Sequence, residues 1–445
     1  MIDLKLVKPL LKGKPIAIVG LARTNTAAYE ACQAAGIETV LWDDNAAARQ
    51  GLPTEDLTQA DFSRFAMLCL APGVPLTNPV VAQARKANCP IACDIELLHL
   101  ALPKMKSIGI TGTDGKSTTT SLIGHILKTA NIESTVGGNI GVASLSLPQL
   151  SDKGVYVLEL SSYQLDRCPT FAPEISLLLN FSPDHFDQHG NMAGYIAAKK
   201  NIFRGPGTAI IGIDDQWSKE VYAEVKKSER KTISISCTGA ADITVTPDGI
   251  LKDHEKEITD LKTCKALQGQ HNWQNAAMAY AACTAQGVAV TDIITGLNSF
   301  PGLAHRQNIV AVYDGIRYVN DSKATNDHAA SIALRTYDPI YWIAGGKVKE
   351  GGWPLCEEYL SHVRHAFLIG EGETKMAAWL RDKKTPFTRA SSLDTAVAAA
   401  HDMAMAEKRE NAVVLLSPAC ASFDQFKNFE QRGDAFVALV KRLKS

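Results

Sequence analysis

Apolar residues along this chain gather in short unbroken runs, separated by stretches where they recur every three or four positions. Unbroken runs suit strands covered on both faces, and the longer spacing suits amphipathic helices. At the start, a run at 15–20 precedes a helix expected over 26–35 and closed by Gly36. A second strand at 39–42 ends in Asp43-Asp44, and a third at 65–70 ends before Ala71-Pro72-Gly73. This alternation predicts a small doubly wound α/β unit. Residues 94–98 read as a linking helix. Runs at 107–110, 155–158 and 175–179 then predict a second parallel sheet. From 231 to 265 the segments shorten and alternate around the turn Pro247-Asp248-Gly249, which predicts an antiparallel hairpin region. A helix is expected over 271–286. Beyond Phe300-Pro301-Gly302, strands at 316–319, 340–344, 366–369 and 412–416 alternate with helices. The division expected is 1–95, 96–300 and 301–445.

Composition narrows the class. The hydrophobic share is 46% and the charged share 21%, so 445 residues can bury sizeable cores. Lys+Arg 46 against Asp+Glu 47 gives no basic surplus and argues against nucleic acid as a partner. No stretch reaches the length of a membrane span, and the N-terminus lacks a signal-peptide pattern, so a cytoplasmic location is expected. The 10 cysteines sit in apolar segments rather than at framework spacings and read as reduced thiols. Cys89 and Cys93 lack a second pair at zinc spacing.

The richest chemistry lies in Gly112-Thr113-Asp114-Gly115-Lys116-Ser117-Thr118, between the run at 107–110 and a helix. Backbone N–H groups and a helix dipole suit phosphate there. Lys116 supplies charge, and the Ser117 hydroxyl can hold Mg²⁺. The general phosphate-loop pattern wants another glycine where Ile110 stands. By contrast, Gly20-Leu21-Ala22-Arg23-Thr24-Asn25 keeps one glycine of a dinucleotide fingerprint and supports NAD weakly.

Other groups end strands. Glu159 follows 155–158 and reads equally as a Mg²⁺ ligand or a surface carboxylate. Asn180-Phe181-Ser182-Pro183-Asp184-His185-Phe186-Asp187-Gln188-His189 follows 175–179. There His185, nearest the strand end, is the functional candidate, while Asp187 and His189 read as loop polarity. Lys199-Lys200 lies in a helix expected over 192–203 and reads as a solvated face. His271-Asn272-Trp273-Gln274-Asn275 reads as a helix start. In the last third, polar loops from Asn320, Gly345 and Ser417 should meet on one sheet edge and suit a small anion.

Taken in order, these blocks resemble the Mur ligases, ATP-dependent amide-forming enzymes of peptidoglycan assembly. The resemblance rests on the phosphate loop, Gly137-Gly138-Asn139-Ile140-Gly141, Leu158-Glu159-Leu160-Ser161-Ser162, His271-Asn272, His305-Arg306, Asn320-Asp321-Ser322-Lys323-Ala324-Thr325-Asn326 and Gly345-Gly346. The run 417–433 resembles the branch that adds D-glutamate to UDP-N-acetylmuramoyl-L-alanine. The resemblance implies a three-domain α/β architecture: a Rossmann-like N-terminal domain, a central parallel-sheet domain with a phosphate loop and a small antiparallel region, and a Rossmann-like C-terminal domain. It implies ATP, two Mg²⁺ ions, an acyl-phosphate intermediate and a carbamylated Lys199. It also implies a monomer serving cell-wall synthesis, and so cell shape and division.

By the same resemblance Lys116, His185 and Lys199 are catalytic, and Ser117, Glu159, His185 and Lys199 hold metal. Gly112, Thr113, Gly115, Lys116, Ser117 and Thr118 cradle the nucleotide phosphates, while Asn272, Asn275, Arg306 and Asp321 complete the nucleotide site. Thr24, Asp43 and Gly73 meet the uracil and diphosphate of the UDP-sugar, and Asn139 and His185 its pyrophosphate and reacting end. Ala22, Arg23 and Asn25 depart from the family's usual residues here. Lys323, Thr325, Lys349, Ser422 and Phe429 receive D-glutamate, with Lys347 as a competing register for Lys349. A diaminopimelate-adding member would carry Asp-Asn-Pro-Arg, which is absent. A folylpolyglutamate synthase, a non-catalytic nucleotide-binding scaffold and a dehydrogenase are the rival readings.

Overall fold

The structure, a computed structural model, describes residues 1–348 and 351–444. Its contacts divide the chain into two compact units, Met1–Phe300 and Pro301–Ser445.

The first unit holds two sheets. Strands β1 (Ile16–Val19), β2 (Thr39–Trp42), β3 (Met67–Leu70) and β4 (Ile91–Ala92) form a parallel sheet in the order β2-β1-β3-β4. Every residue of β1 and β3 is buried, as their unbroken apolar runs require. The helix Arg23–Ala34 begins earlier than the apolar spacing suggests, directly after the β1 loop.

The second sheet comprises β5 (Lys106–Thr111), β6 (Ser134–Gly138), β7 (Val155–Glu159), β8 (Ile175–Leu178), β9 (Thr208–Gly212), β10 (Thr232–Ser236), β11 (Ile243–Val245), β12 (Ile250–Asp253) and β13 (Lys256–Asp260). Their order is β13-β12-β11-β10-β9-β8-β5-β7-β6. The antiparallel region is smaller than the texture at 231–265 suggests. Strands β10 and β11 extend the parallel run, and the antiparallel pairings are confined to β11 with β12 and β12 with β13. Strand β5 lies between β7 and β8, so the chain switches direction across the sheet at the phosphate loop, where open α/β sheets bind ligands.

Residue 96, near the hinge that the resemblance to three-domain ligases implies, sits in packed structure. Ile95, Leu97 and Leu98 of the helix Asp94–Ala101 share one core with Ile16 and Ile18 of the first sheet and Leu158 of the second. The Glu96 carboxylate is buried and accepts backbone N–H bonds from Thr170 at 3.1 Å and Phe171 at 3.2 Å. Asp94 is buried beside it, accepting from Ser144 Oγ at 2.5 Å and Gln164 Nε2 at 3.2 Å. Motion at 96 would expose both carboxylates' partners and the shared core.

The second unit is one sheet, β14 (Asn308–Tyr313), β15 (Ile316–Asn320), β16 (Ile340–Gly345), β17 (Val363–Ile369), β18 (Phe387–Ser391) and β19 (Val413–Leu416), ordered β14-β15-β19-β16-β17-β18. Only β14 is antiparallel to its neighbour. Apolar clusters cover both faces. Across the described residues all 10 cysteines are buried and none is in a disulfide. Among those residues no helix is long and apolar enough to cross a membrane.

Candidate active site

The loop after β5 is shaped by backbone constraints. Gly115 has φ +80°, and a Cβ there would fall 2.2 Å from Asn275 Oδ1. Glycine is therefore the residue that lets the helix Gln270–Ala285 press its Asn275 amide against the loop. Asn275 Oδ1 also accepts from Thr119 Oγ1 at 3.2 Å, and its Nδ2 donates to Asn272 Oδ1 at 3.4 Å. Both asparagines thus stand at the phosphate loop. From the other side, Asn180 Oδ1 accepts the Asp114 N–H at 2.9 Å and the Asn180 carbonyl accepts the Thr113 N–H at 3.0 Å. The loop is braced between two strand ends and a helix before any ligand arrives. Lys116, Ser117 and Thr118 open the helix Lys116–Thr129, with Ser117 buried.

Two lysine amines enter this loop. Lys116 Nζ donates to the carbonyls of Gly112 at 2.8 Å and Thr113 at 2.6 Å. Lys199, 1% exposed in the helix Met192–Lys200, donates to the same Gly112 carbonyl at 2.8 Å and to Thr111 Oγ1 at 3.3 Å. Burial, and then repulsion from Lys116, hold the Lys199 ammonium well below the usual lysine range. Lys200, by contrast, points outward to a surface ion pair with Glu224. The adjacent lysines therefore have opposite environments, and the solvated-face reading holds for Lys200 alone.

Glu159 is buried at the end of β7. Its Oε1 accepts from Asn139 Nδ2 at 2.8 Å, whereas Oε2 is buried with no partner among the described residues. A buried carboxylate oxygen left over beside a phosphate loop and the Ser117 hydroxyl is a hard-cation donor set, and the residues fit Mg²⁺. Among the described residues no three His, Cys, Asp or Glu side chains gather into a metal cluster.

His185 has a left-handed backbone, φ 54°. Its Nδ1 lies 2.9 Å from Tyr163 Oη and its Nε2 3.3 Å from Asp184 Oδ2. Burial, opposed by Asp184 and reinforced by Lys199 and Lys116, lowers its pKa and favours neutral imidazole. Two residues missed as candidates join it. Tyr163 stacks on His189 at 5.5 Å, and His189 Nε2 lies 3.0 Å from Ser162 Oγ. His189 is thus part of the cluster around Tyr163 rather than loop polarity.

In the first sheet, Asp43 Oδ2 accepts the Leu21 N–H at 2.6 Å and Oδ1 that of Asn45 at 2.8 Å. Because β1 sits between β2 and β3, the first turn of the helix Arg23–Ala34, which carries Thr24, and the loops carrying Asp43 and Gly73 leave one edge side by side. Asn25 is fully buried and donates to the Val19 carbonyl at 2.9 Å, so the departure from glycine there fills space beneath the edge.

In the second unit, the loops after β15, β16 and β19 meet as expected. Asp321 N–H donates to Leu416 at 2.7 Å, Gly345 N–H to Pro418 at 2.9 Å, and Lys347 and Ala421 exchange backbone bonds at 2.8 and 3.0 Å. Asp321 accepts from Ser417 Oγ at 2.8 Å and Gln307 N–H at 3.1 Å, and burial raises its pKa to about 7. Lys323 Nζ lies 5.2 Å over the Phe429 ring, and Ser422 is buried nearby in sequence to that ring's helix, Phe429–Arg442. Thr325 follows, its N–H on the Lys323 carbonyl at 2.8 Å. Lys349 lies outside the described residues. Sequence reasoning missed Arg432, which is fully buried and donates to Ser322 and Cys420, tying two of these loops together.

The chain is similar to known proteins along its length. Residues 110–283 match the Mur ligase middle domain. A protein of Paramagnetospirillum magneticum named UDP-N-acetylmuramoylalanine–D-glutamate ligase is 46% identical over 446 residues, covering 97% of each chain. The chain belongs to the Mur ligase family. Proteins of the same name from Caulobacter vibrioides and Rhizobium meliloti are 45% and 43% identical over 97% of this chain and 96% and 97% of their own. The fold also matches a UDP-N-acetylmuramate–alanine ligase structure from Thermotoga maritima, with TM-score 0.61 at 17% identity over 97% of this Mur ligase and 100% of that chain. A pseudomurein peptide ligase type C from Methanothermus fervidus gives 0.55 at 15% identity over 97% and 100%. The three α/β sheets of this Mur ligase are the architecture of those structures.

Proposed function

We propose that this Mur ligase forms the amide between UDP-N-acetylmuramoyl-L-alanine and D-glutamate, releasing ADP and phosphate, in peptidoglycan precursor synthesis. The observation that carries this reading is 43–46% identity, across 97% of the chain, to proteins named for that reaction. A carboxylate and an amine at neutral pH form a salt, so the acyl group must be activated. The muramoyl-alanine carboxylate oxygen attacks the ATP γ-phosphorus and the bridging bond to ADP breaks. The D-glutamate amine then attacks the acyl carbon, loses a proton, and phosphate leaves.

The chain's residues suit these steps. Gly112, Thr113, Gly115 and Thr118 line the phosphate cradle, and Lys116 neutralises charge passing between phosphates. Asn272 and Asn275 are the nucleotide contacts of the first unit, and Arg306 and Asp321 those of the second. Ser117 and Glu159 would hold Mg²⁺ with the nucleotide, and His185 with Lys199 a second ion. Bound there, Mg²⁺ supplies positive charge at the transferring phosphoryl group. A free lysine amine is a poor magnesium ligand. The buried, low-pKa Lys199 amine is nucleophilic, however. Adding to CO₂ and losing a proton, it becomes a carbamate whose anionic oxygen suits that ion.

Thr24, Asp43 and Gly73 would take the uracil and diphosphate, with Asn139 and His185 toward the reacting end. Lys323, Thr325, Lys349, Ser422 and Phe429 would take D-glutamate, whose two carboxylates need cations and hydroxyls once desolvated. We place the domain boundaries at 1–95, 96–300 and 301–445, and the enzyme in the cytoplasm as a monomer. The test is an omission assay. Phosphate release should require ATP, Mg²⁺, the UDP-sugar and D-glutamate together. Release that persists without either the UDP-sugar or D-glutamate would contradict the reading.

A further inference from the structure

Arg167 follows the short helix Ser162–Leu165 and is 1% exposed. A buried guanidinium is costly unless its donors find acceptors. Here Nη1 and Nη2 find carbonyls of one distant turn, while Nε is buried without a partner among the described residues. Nη1 donates to the Ala71 carbonyl and Nη2 to the Val74 carbonyl at 2.6 Å. Among the described residues no carboxylate accepts from it.

The two carbonyls bracket Pro72 and Gly73. The turn is already closed by the Val74 N–H on the Ala71 oxygen at 3.1 Å and anchored by the Ala71 N–H on Val19 at 2.9 Å. Its side chains press on the end of β1. A Cβ at Gly20 would meet Val74 Cγ2 at 2.6 Å and Ala71 Cβ at 2.7 Å. Arg167 is the third restraint, and it alone comes from the second sheet. Its segment starts at Glu159, places Tyr163 on His185, and bonds Gln164 to Asp94. One stretch of chain therefore touches the phosphoryl-transfer site at one end and the Gly73 turn at the other.

We propose that Arg167 is a positioning residue for the nucleoside-diphosphate sugar: it presets the Pro72–Gly73 turn, places a cation behind it, and registers it to the segment carrying Glu159 and Tyr163. This rests on the reading that the Gly73 turn meets the diphosphate. A diphosphate gains from a turn already shaped and from a guanidinium behind it whose hydrogen bonds go to carbonyls, with the Asp166 carboxylate acting on it only through space.

Calorimetry with UDP-N-acetylmuramoyl-L-alanine and, separately, ATP tests it on the full chain, alongside KM for D-glutamate. Arg167→Met should weaken UDP-sugar binding about tenfold, the scale of losing charge-assisted hydrogen bonds, with ATP and D-glutamate changed less than about twofold. Arg167→Lys, keeping charge and fewer bonds, should fall between. Thr170→Val is the control, since its hydroxyl bonds Glu96 in the same segment without reaching the turn. A general loosening would move it as much as Arg167→Met. Equal weakening of ATP and UDP-sugar, an unchanged UDP-sugar affinity, or a Thr170→Val effect as large would each overturn the inference. If Arg167→Met does not fold, the same selective loss must appear in Arg167→Lys, and its absence overturns the inference equally. A wild-type protein that binds no UDP-sugar would sink the Gly73 reading itself, a result distinct from a binding protein indifferent to Arg167.

Discussion

The amines of Lys116 and Lys199 donate to one oxygen, the Gly112 carbonyl, each at 2.8 Å. Two ammonium groups on a single carbonyl repel each other, and burial makes the repulsion dearer for Lys199. The arrangement is relieved when one amine is neutral or when anionic oxygens enter between them. Both conditions would be met at the proposed site if it received triphosphate and Lys199 were carbamylated.

Lys199→Ala should therefore lower kcat by about a hundredfold or more, as expected for removing a charge at a phosphoryl-transfer centre. Added formate or acetate should restore part of it by supplying the missing oxygen anion. Lys200→Ala removes only a surface ion pair with Glu224 and should stay within about twofold of wild type. Steady-state phosphate release with both variants checks this, and a crippled Lys200→Ala beside an active Lys199→Ala would reverse the assignment.

Gly115→Ala places a Cβ 2.2 Å from Asn275 Oδ1 at a backbone φ of +80°. Strain of this kind is worth roughly 1–3 kcal/mol, so ATP affinity should fall about tenfold or more. UDP-sugar affinity, which depends on another sheet edge, should hold. Calorimetric titration of each ligand reads the difference.

The phosphate loop and the strands beside it were legible because their signals are local. An unbroken apolar run followed by Gly, Lys and Ser needs no distant partner to be read. Strands β14 and β18 escaped notice because they are edge strands. Strand β18 has no continuous apolar run and buries only Ala390, whereas β14 does carry one, Ile309-Val310-Ala311-Val312, though none of its residues is fully buried. Tyr163, His189, Arg167 and Arg432 escaped for another reason. Each acts through residues far away in the chain, and a Tyr in Ser-Ser-Tyr-Gln or an Arg in Gln-Arg-Gly carries no local sign of its partner. The Lys199-Lys200 pair shows the limit most plainly, since spacing offers two similar lysines and only packing separates them. Near residue 96, where the resemblance to three-domain ligases leads one to expect a hinge, the Glu96 carboxylate accepts from Thr170 and Phe171, contacts that a helix read in isolation does not reveal.

Tyr163→Phe removes the hydroxyl 2.9 Å from His185 Nδ1 while keeping the ring on His189. A hydrogen bond that orients a metal-side histidine is worth about tenfold, so kcat should drop by that order. KM for ATP should change little. Steady-state kinetics separate the two parameters.

Asp321 carries a carboxyl whose pKa burial raises from 3.8 to about 7. The folded protein thus holds this proton more tightly than the unfolded chain does. The resulting stability is complete below about pH 4 and is lost as pH rises toward about 7. Asp321→Asn cannot ionise. The melting temperature of the ligand-free variant minus that of wild type should rise from about pH 4 to about pH 7 and then level off. A flat difference across that range would show that Asp321 titrates normally.

The most direct test of the account follows an oxygen atom. UDP-N-acetylmuramoyl-L-alanine labelled with ¹⁸O in its carboxylate is incubated with ATP, Mg²⁺ and D-glutamate, and the released phosphate is analysed by mass. Transfer through an acyl phosphate predicts one labelled oxygen in each phosphate for each amide formed, with no comparable product from L-glutamate. Unlabelled phosphate, or equal turnover with L-glutamate, would contradict it.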